Sequence, residues 1–99
     1  MLKQIHLYIK GDVVGVGFRA WTAIQAKINS VTGWVKNTFN KPEVFGSSGG
    51  VEALLQGEND NVNNLLEIIK KGSPVSRVED VEIFWQEPKE VFENFKIVK

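Results

Sequence analysis

The residues of this 99-residue chain best suited to chemistry form one run, Gly11-Asp12-Val13-Val14-Gly15-Val16-Gly17-Phe18-Arg19. Its three glycines within seven positions let the backbone bend sharply, so that several N–H groups can converge on one point. A helix-like pattern follows, and the start of a helix adds unpaired N–H groups and a positive dipole end. The guanidinium of Arg19 could close over a phosphate or carboxylate bound there. The spacing alone leaves open a plain strand-to-helix turn with an exposed arginine.

This run resembles the phosphate-binding signature of the acylphosphatase family. After thirteen further residues comes Gly33-Trp34-Val35-Lys36-Asn37, which resembles the second signature of that family at its usual distance. Segments 50–53, 72–78 and 92–97 are similar to pieces that the family has at these places. The resemblance therefore covers nearly the whole chain, and two spaced signatures are more specific than either one.

The resemblance implies hydrolysis of the carboxyl–phosphate bond of a small-molecule acyl phosphate, with inorganic phosphate or sulfate binding as product or inhibitor. Arg19 and Asn37 would be the catalytic residues, with Asn37 holding the attacking water, since a carboxamide both donates and accepts hydrogen bonds. Because a carboxylate is a good leaving group, hydrolysis needs only a bound phosphoryl group and an oriented water. The implied reaction therefore requires no cofactor and no metal. The phosphate would be bound by backbone amides and the Arg19 guanidinium, in the segment Val14, Gly15, Val16, Gly17, Phe18 and Arg19.

Two residues of the first signature depart from the family pattern. Members commonly have a basic residue where this chain has Asp12, and a glutamine where it has Val14. A carboxylate that faces an anion site opposes binding, whereas in solvent its effect shrinks to a few tenths of a kcal/mol. These departures keep open a second function, in which the domain binds a phosphate ligand or a protein partner without efficient turnover.

Composition limits the other function classes. Twelve basic residues balance twelve acidic ones, which disfavours nucleic-acid and anionic-membrane partners and an RNA-binding module of the same fold. With no cysteine and one histidine, the chain lacks the ligands of a His/Cys zinc site. Apolar runs are too short to cross a bilayer, and the N-terminal residues do not resemble a signal peptide. We expect a single cytoplasmic, monomeric domain over residues 1–99.

Apolar periodicity predicts the elements that must position these residues. A first strand is predicted where the apolar residues Ile5, Leu7 and Ile9 alternate with their neighbours. Further strands are expected over 33–38, 51–56, 78–85 and 95–98. A first helix is predicted over 18–29, with an apolar stripe of Trp21, Ile24, Ile28 and Val31. A second begins after Asp60 as N-cap, carries the stripe Val62, Leu65, Leu66 and Ile69, and ends at Gly72.

This order predicts an α+β, ferredoxin-like β-α-β-β-α-β sandwich with two helices on one face of an antiparallel sheet and the last strand on an edge. Residues 38–50 show no period and are rich in Pro, Gly and Ser, which indicates a loop that is either functional or disordered. His6 is expected on the outer surface of the sheet and Trp21 in the core. The neighbouring Glu79 and Asp80 are expected at a solvated strand end, because adjacent strand residues point to opposite faces.

Overall fold

The computed structural model describes residues 2–99. In chain order the elements are β1 (Leu2–Asp12), α1 (Phe18–Ile28), β2 (Thr32–Thr38), α2 (Pro42–Phe45), β3 (Gly50–Glu58), α3 (Asn59–Lys71), β4 (Arg77–Gln86) and β5 (Phe95–Val98). None of the helices in these residues is long and apolar enough to cross a membrane.

The strands form one sheet in the order β4-β1-β3-β2-β5. Strand β1 pairs antiparallel with β3 and β4, and β2 pairs antiparallel with β3. The short β5 adds to the outer edge of β2 in the parallel direction. The predicted ferredoxin-like α+β fold is confirmed, including the edge position of the last strand.

The core lies between the sheet and the two main helices. Alternation places Ile5, Leu7 and Ile9 on one face of β1, opposite Leu55, Ala53 and Val51 of β3. Helix α3 contributes Val62, Leu65, Leu66 and Ile69, all buried, so its predicted stripe is confirmed. Burial of each such side chain contributes about 1.5–3 kcal/mol.

The predicted N-cap of α3 was wrong. Glu58 occupies that position, and Asp60 lies in the first turn, where its charge suits the helix dipole.

Helix α1 buries a different face from the predicted one. Its buried residues are Phe18, Thr22 and Ala26, which recur every four positions. Ile24 and Ile28 of the predicted stripe are 58% and 70% exposed. The ring of Phe18 is buried at the first turn, and the smaller Thr22 and Ala26 let the rest of the helix lie close to the sheet. Trp21 packs at the edge of the core, its ring centroid 5.3 Å from that of Phe18.

The segment between β2 and β3 contains a helical turn that the sequence pattern did not predict. This turn, α2, places the Phe45 ring 5.6 Å from the Tyr8 ring on the face of the sheet away from α1 and α3. The segment returns to β3 at Gly50, where a Cβ would come within 2.1 Å of the Phe45 ring. Glycine at this position therefore allows the turn to pack against the sheet.

The same outer face carries a buried carboxylate. Glu52 is 3% exposed, with Thr38 Oγ1 at 2.5 Å and His6 Nε2 at 2.9 Å from its oxygens. Burial raises the pKa of the Glu52 carboxyl, but these two hydrogen bonds and the charge of Lys36 outweigh burial and lower the pKa below its ordinary value. His6 is on the outer face of the sheet as expected, and there it belongs to a hydrogen-bonded group.

Candidate active site

The loop between β1 and α1 has a backbone that only glycine adopts readily. Gly15 has φ 79° and Gly17 has φ 75°, both in the left-handed region. A Cβ on either residue would meet no atom within 4 Å. The glycines are therefore required by backbone conformation and not by crowding, and the loop has an open side from which a ligand can approach its backbone.

Helix α1 begins with uncapped N–H groups. Gly17 is the N-cap, no side chain caps the helix, and its first turn contains no acidic residue. The backbone N–H of Trp21 donates to the carbonyl of Gly17 at 3.0 Å. The N–H groups of the three preceding residues therefore have no carbonyl partner within the helix. Together with the positive end of the helix dipole, they make this end suitable for an anion.

A pocket of about 180 Å³ opens at this helix end. Its walls come from the loop, the first turn of α1, β2 and β5; the lining residues are Val13, Gly15, Gly17, Phe18, Arg19, Ala20, Asn37 and Ile97. The tertiary structure thus brings together most of the predicted site residues from both signatures. The side chains of Val14 and Val16 do not line this pocket, and only their backbone amides remain candidates for phosphate contacts.

Arg19 is held at the edge of the pocket by the last strand. Its Nη1 group donates to the carbonyl of Val98 at 3.4 Å, a long hydrogen bond that limits the positions of the guanidinium without using most of its donors. A guanidinium has five N–H donors in a planar fork, a geometry that matches two oxygens of a phosphoryl group. Arg19 is the only charged residue among those that line the pocket.

Asn37, which also lines the pocket, has an unpaired acceptor in its side chain. It lies within β2 in register with Val51, and alternation places it on the helix-bearing face of the sheet together with Val35. Its Oδ1 atom is buried and has no hydrogen-bond partner. Buried side-chain oxygens are normally hydrogen-bonded, so this atom is suited to accept a hydrogen bond from a water or a ligand.

Asp12, the main departure from the family pattern, lies at the end of β1 outside the pocket. It is exposed, opposite Arg77 of β4 in the strand register, and is not among the pocket-lining residues. The strand pairing therefore places a cationic residue beside this carboxylate, and solvent screens it from the helix end.

The sequence pattern did not identify Val13, Ala20 and Ile97 as residues that line the pocket. Val13 lies within the first signature and Ala20 directly follows it, so their closeness in sequence to the site was an available signal. Ile97 gave no such signal, because its place depends on which edge of the sheet β5 joins. Among residues 2–99, no group of three or more His, Cys, Asp or Glu side chains is placed to hold a metal ion.

Comparison with known proteins identifies similar chains. A family model described as acylphosphatase matches residues 5–97. The chain is 43% identical over 96 residues to an acylphosphatase of Pyrobaculum islandicum, covering 96% of this chain and 93% of that protein. It is 41% identical over 98 residues to an acylphosphatase of Pyrobaculum arsenaticum, covering 98% and 95%. The crystal structure of an acylphosphatase from Bacillus subtilis matches with a TM-score of 0.85 at 33% identity, over all of both chains.

Proposed function

The chain belongs to the acylphosphatase family and is an enzyme of that family, and we propose that it hydrolyses acyl phosphates with Arg19, backbone amides and a water held by Asn37. One observation carries this assignment of roles. Asn37, whose buried Oδ1 has no hydrogen-bond partner, lines the same pocket as Arg19 at the uncapped end of α1. A cationic side chain and a residue with a free acceptor thus line one small space.

In this proposal the amides of residues 14–19 and the Arg19 guanidinium bind the phosphoryl oxygens. Donors fixed before the reaction stabilise the charge that is redistributed in the transition state without having to reorganise. The positive φ of Gly15 and Gly17 supports this role, because the loop holds an open, curved backbone before any ligand binds.

The attacking water donates one hydrogen bond to Asn37 Oδ1 and directs a lone pair at phosphorus. The bond from phosphorus to the acyl oxygen breaks, and the carboxylate leaves with the bonding electrons. The proton of the water passes to a phosphoryl oxygen, so the products are a carboxylate and inorganic phosphate. Because a carboxylate is a weak base, its departure needs no general acid. Neither a cofactor nor a metal takes part.

The assay for this proposal is hydrolysis of benzoyl phosphate, with and without a chelator. We expect turnover that is unaffected by the chelator, and competitive inhibition by inorganic phosphate or sulfate. Loss of activity on chelation, with recovery on addition of magnesium or zinc, would contradict the mechanism. A folded protein that binds phosphate but does not turn over acyl phosphates would instead support the binding module.

The setting of the reaction is part of the same proposal. One chain supplies all the proposed groups, so a monomer suffices, and a sequence without cysteine fits a reducing, cytoplasmic compartment. Sedimentation of the purified protein tests the monomer, and cell fractionation tests the compartment.

A further inference from the structure

The pocket has an apolar wall that the proposed mechanism does not use. Ile97 of β5 lines it, yet 46% of this large aliphatic residue is exposed. In the parallel pairing of β5 with β2, Ile97 is in register with Val35, two residues before Asn37 on the same face. Its main-chain neighbour Val98 accepts the hydrogen bond from Arg19. Ile97 therefore lies beside both side chains proposed to act on the phosphoryl group.

Charge at the pocket argues against a charged acyl group. Arg19 is the only charged residue in the lining, and the proposed reaction uses it for the phosphoryl oxygens. Apart from Asn37, which the proposed reaction uses for the water, the remaining side chains of the wall are apolar: Val13, Phe18, Ala20 and Ile97. An acyl group with its own carboxylate would lose water there without gaining a cation or a hydrogen-bond donor.

We propose that Ile97 is the specificity-determining residue for the acyl group, and that this enzyme selects acyl phosphates with an apolar aromatic or aliphatic acyl part. The inference rests on the proposed function and adds the substrate class to it. With the phosphoryl group bound at the start of α1, the acyl part emerges along the open side of the pocket and covers the exposed surface of Ile97. Removing apolar surface from water favours such a substrate in proportion to the area covered.

The test compares benzoyl phosphate, acetyl phosphate and succinyl phosphate for the parent protein and Ile97→Ala. One methylene in an apolar pocket changes selectivity by about 10–200-fold, and because this wall is half-open we expect the low end. The kcat/KM for benzoyl phosphate should fall about tenfold in Ile97→Ala, and that for acetyl phosphate less than about twofold. Comparing variant with parent for each substrate cancels the difference in intrinsic reactivity.

Ile24→Ala is the matched control, because it removes the same atoms from an isoleucine that is 58% exposed and does not line the pocket. Ile24→Ala should leave kcat/KM for benzoyl phosphate and kcat/KM for acetyl phosphate at the parent values. Ile97→Val, which keeps a β-branched side chain suited to an edge strand, should retain most of the preference for benzoyl phosphate even if Ile97→Ala lowers the melting temperature.

An equal loss for benzoyl and acetyl phosphate in Ile97→Ala would overturn the inference, as would a parent preference for succinyl phosphate over both. Either outcome leaves the proposed function intact, since hydrolysis still occurs. Failure of the parent to hydrolyse any of the three would contradict the proposed function itself.

Discussion

Asn37→Ala should separate catalysis from stability more clearly than any other single substitution. Replacing a buried, hydrogen-bonded side chain normally costs about 1–3 kcal/mol of folding free energy, because the former partner is left unpaired. Asn37 Oδ1 has no partner to leave behind. We therefore expect the free energy of unfolding to change by less than about 1 kcal/mol, a shift in melting temperature of at most a few degrees for a domain of this size.

The effect on turnover should be much larger. Loss of one pre-positioned polar group in an active site typically lowers kcat by about 10²–10³-fold, equivalent to about 3–4 kcal/mol. Because the water interaction matters during attack, the inhibition constant of inorganic phosphate should stay within about threefold of the parent value. Steady-state hydrolysis of benzoyl phosphate, phosphate inhibition and thermal unfolding measure the three quantities on the same samples.

The control is Asn40→Ala, which removes the same side chain from an exposed position three residues further along the chain and should leave all three quantities unchanged. The competing explanation gives Asn37 a purely structural role. Under that explanation phosphate affinity, turnover and melting temperature of Asn37→Ala would fall together. That outcome, or a kcat within about tenfold of the parent value, would refute the reasoning, because the expected loss is at least 10²-fold.

Three further perturbations test the neighbouring parts of the molecule. Arg19→Ala should weaken phosphate inhibition and lower kcat/KM about 10²–10³-fold, with little recovery in Arg19→Lys because an ammonium cannot replace a planar fork; kinetics within a few-fold of the parent would place the anion elsewhere. Asp12→Arg should change kcat/KM less than about threefold at both low and high salt, since the carboxylate is exposed beside Arg77. A salt-sensitive rise of about tenfold in kcat/KM, which corresponds to about 1.4 kcal/mol, would show that Asp12 faces the bound anion. Glu52→Gln tests acid stability, because the Glu52 pKa is lowered in the folded protein. The contribution of Glu52 should be complete above its unfolded pKa of about 4.3 and disappear as the pH falls through the lower folded value. Urea unfolding at a series of pH values should therefore show the greatest difference between parent and variant near neutral pH, and an equal difference at pH 7 and pH 3 would contradict the pKa direction.

Several features of the fold follow from local chemistry and were therefore predictable from the sequence. Alternation in β1 and the stripe of α3 each match the period of one element, and the structure confirms both. Gly72 ends α3 with φ 79°, a conformation that glycine adopts at low cost. The two signatures indicated which residues to examine for an anion site, because closely spaced glycines before a helix can bring several N–H groups to one point.

Tertiary packing decided which face of α1 is buried. Its apolar residues favour the face of Ile24 and Ile28, yet the helix buries Phe18, Thr22 and Ala26. A large ring at the first turn and small side chains further along fit closely against the sheet, and that fit depends on the surface beneath the helix. The period of a single helix contains no information about that surface.

The sequence by itself determined the glycine-rich turn, the arginine after it and the asparagine on a later strand. Only the tertiary structure decided that these groups share one small pocket and that Asn37 Oδ1 is left without a partner. It also decided that β5 joins β2 and brings Ile97 to the pocket wall. The physical reason is that a four-residue strand could pair with either outer strand, β4 or β2. The choice depends on long-range contacts, such as the hydrogen bond from the Gly33 N–H to the Asn94 carbonyl, which bring the end of the chain to β2.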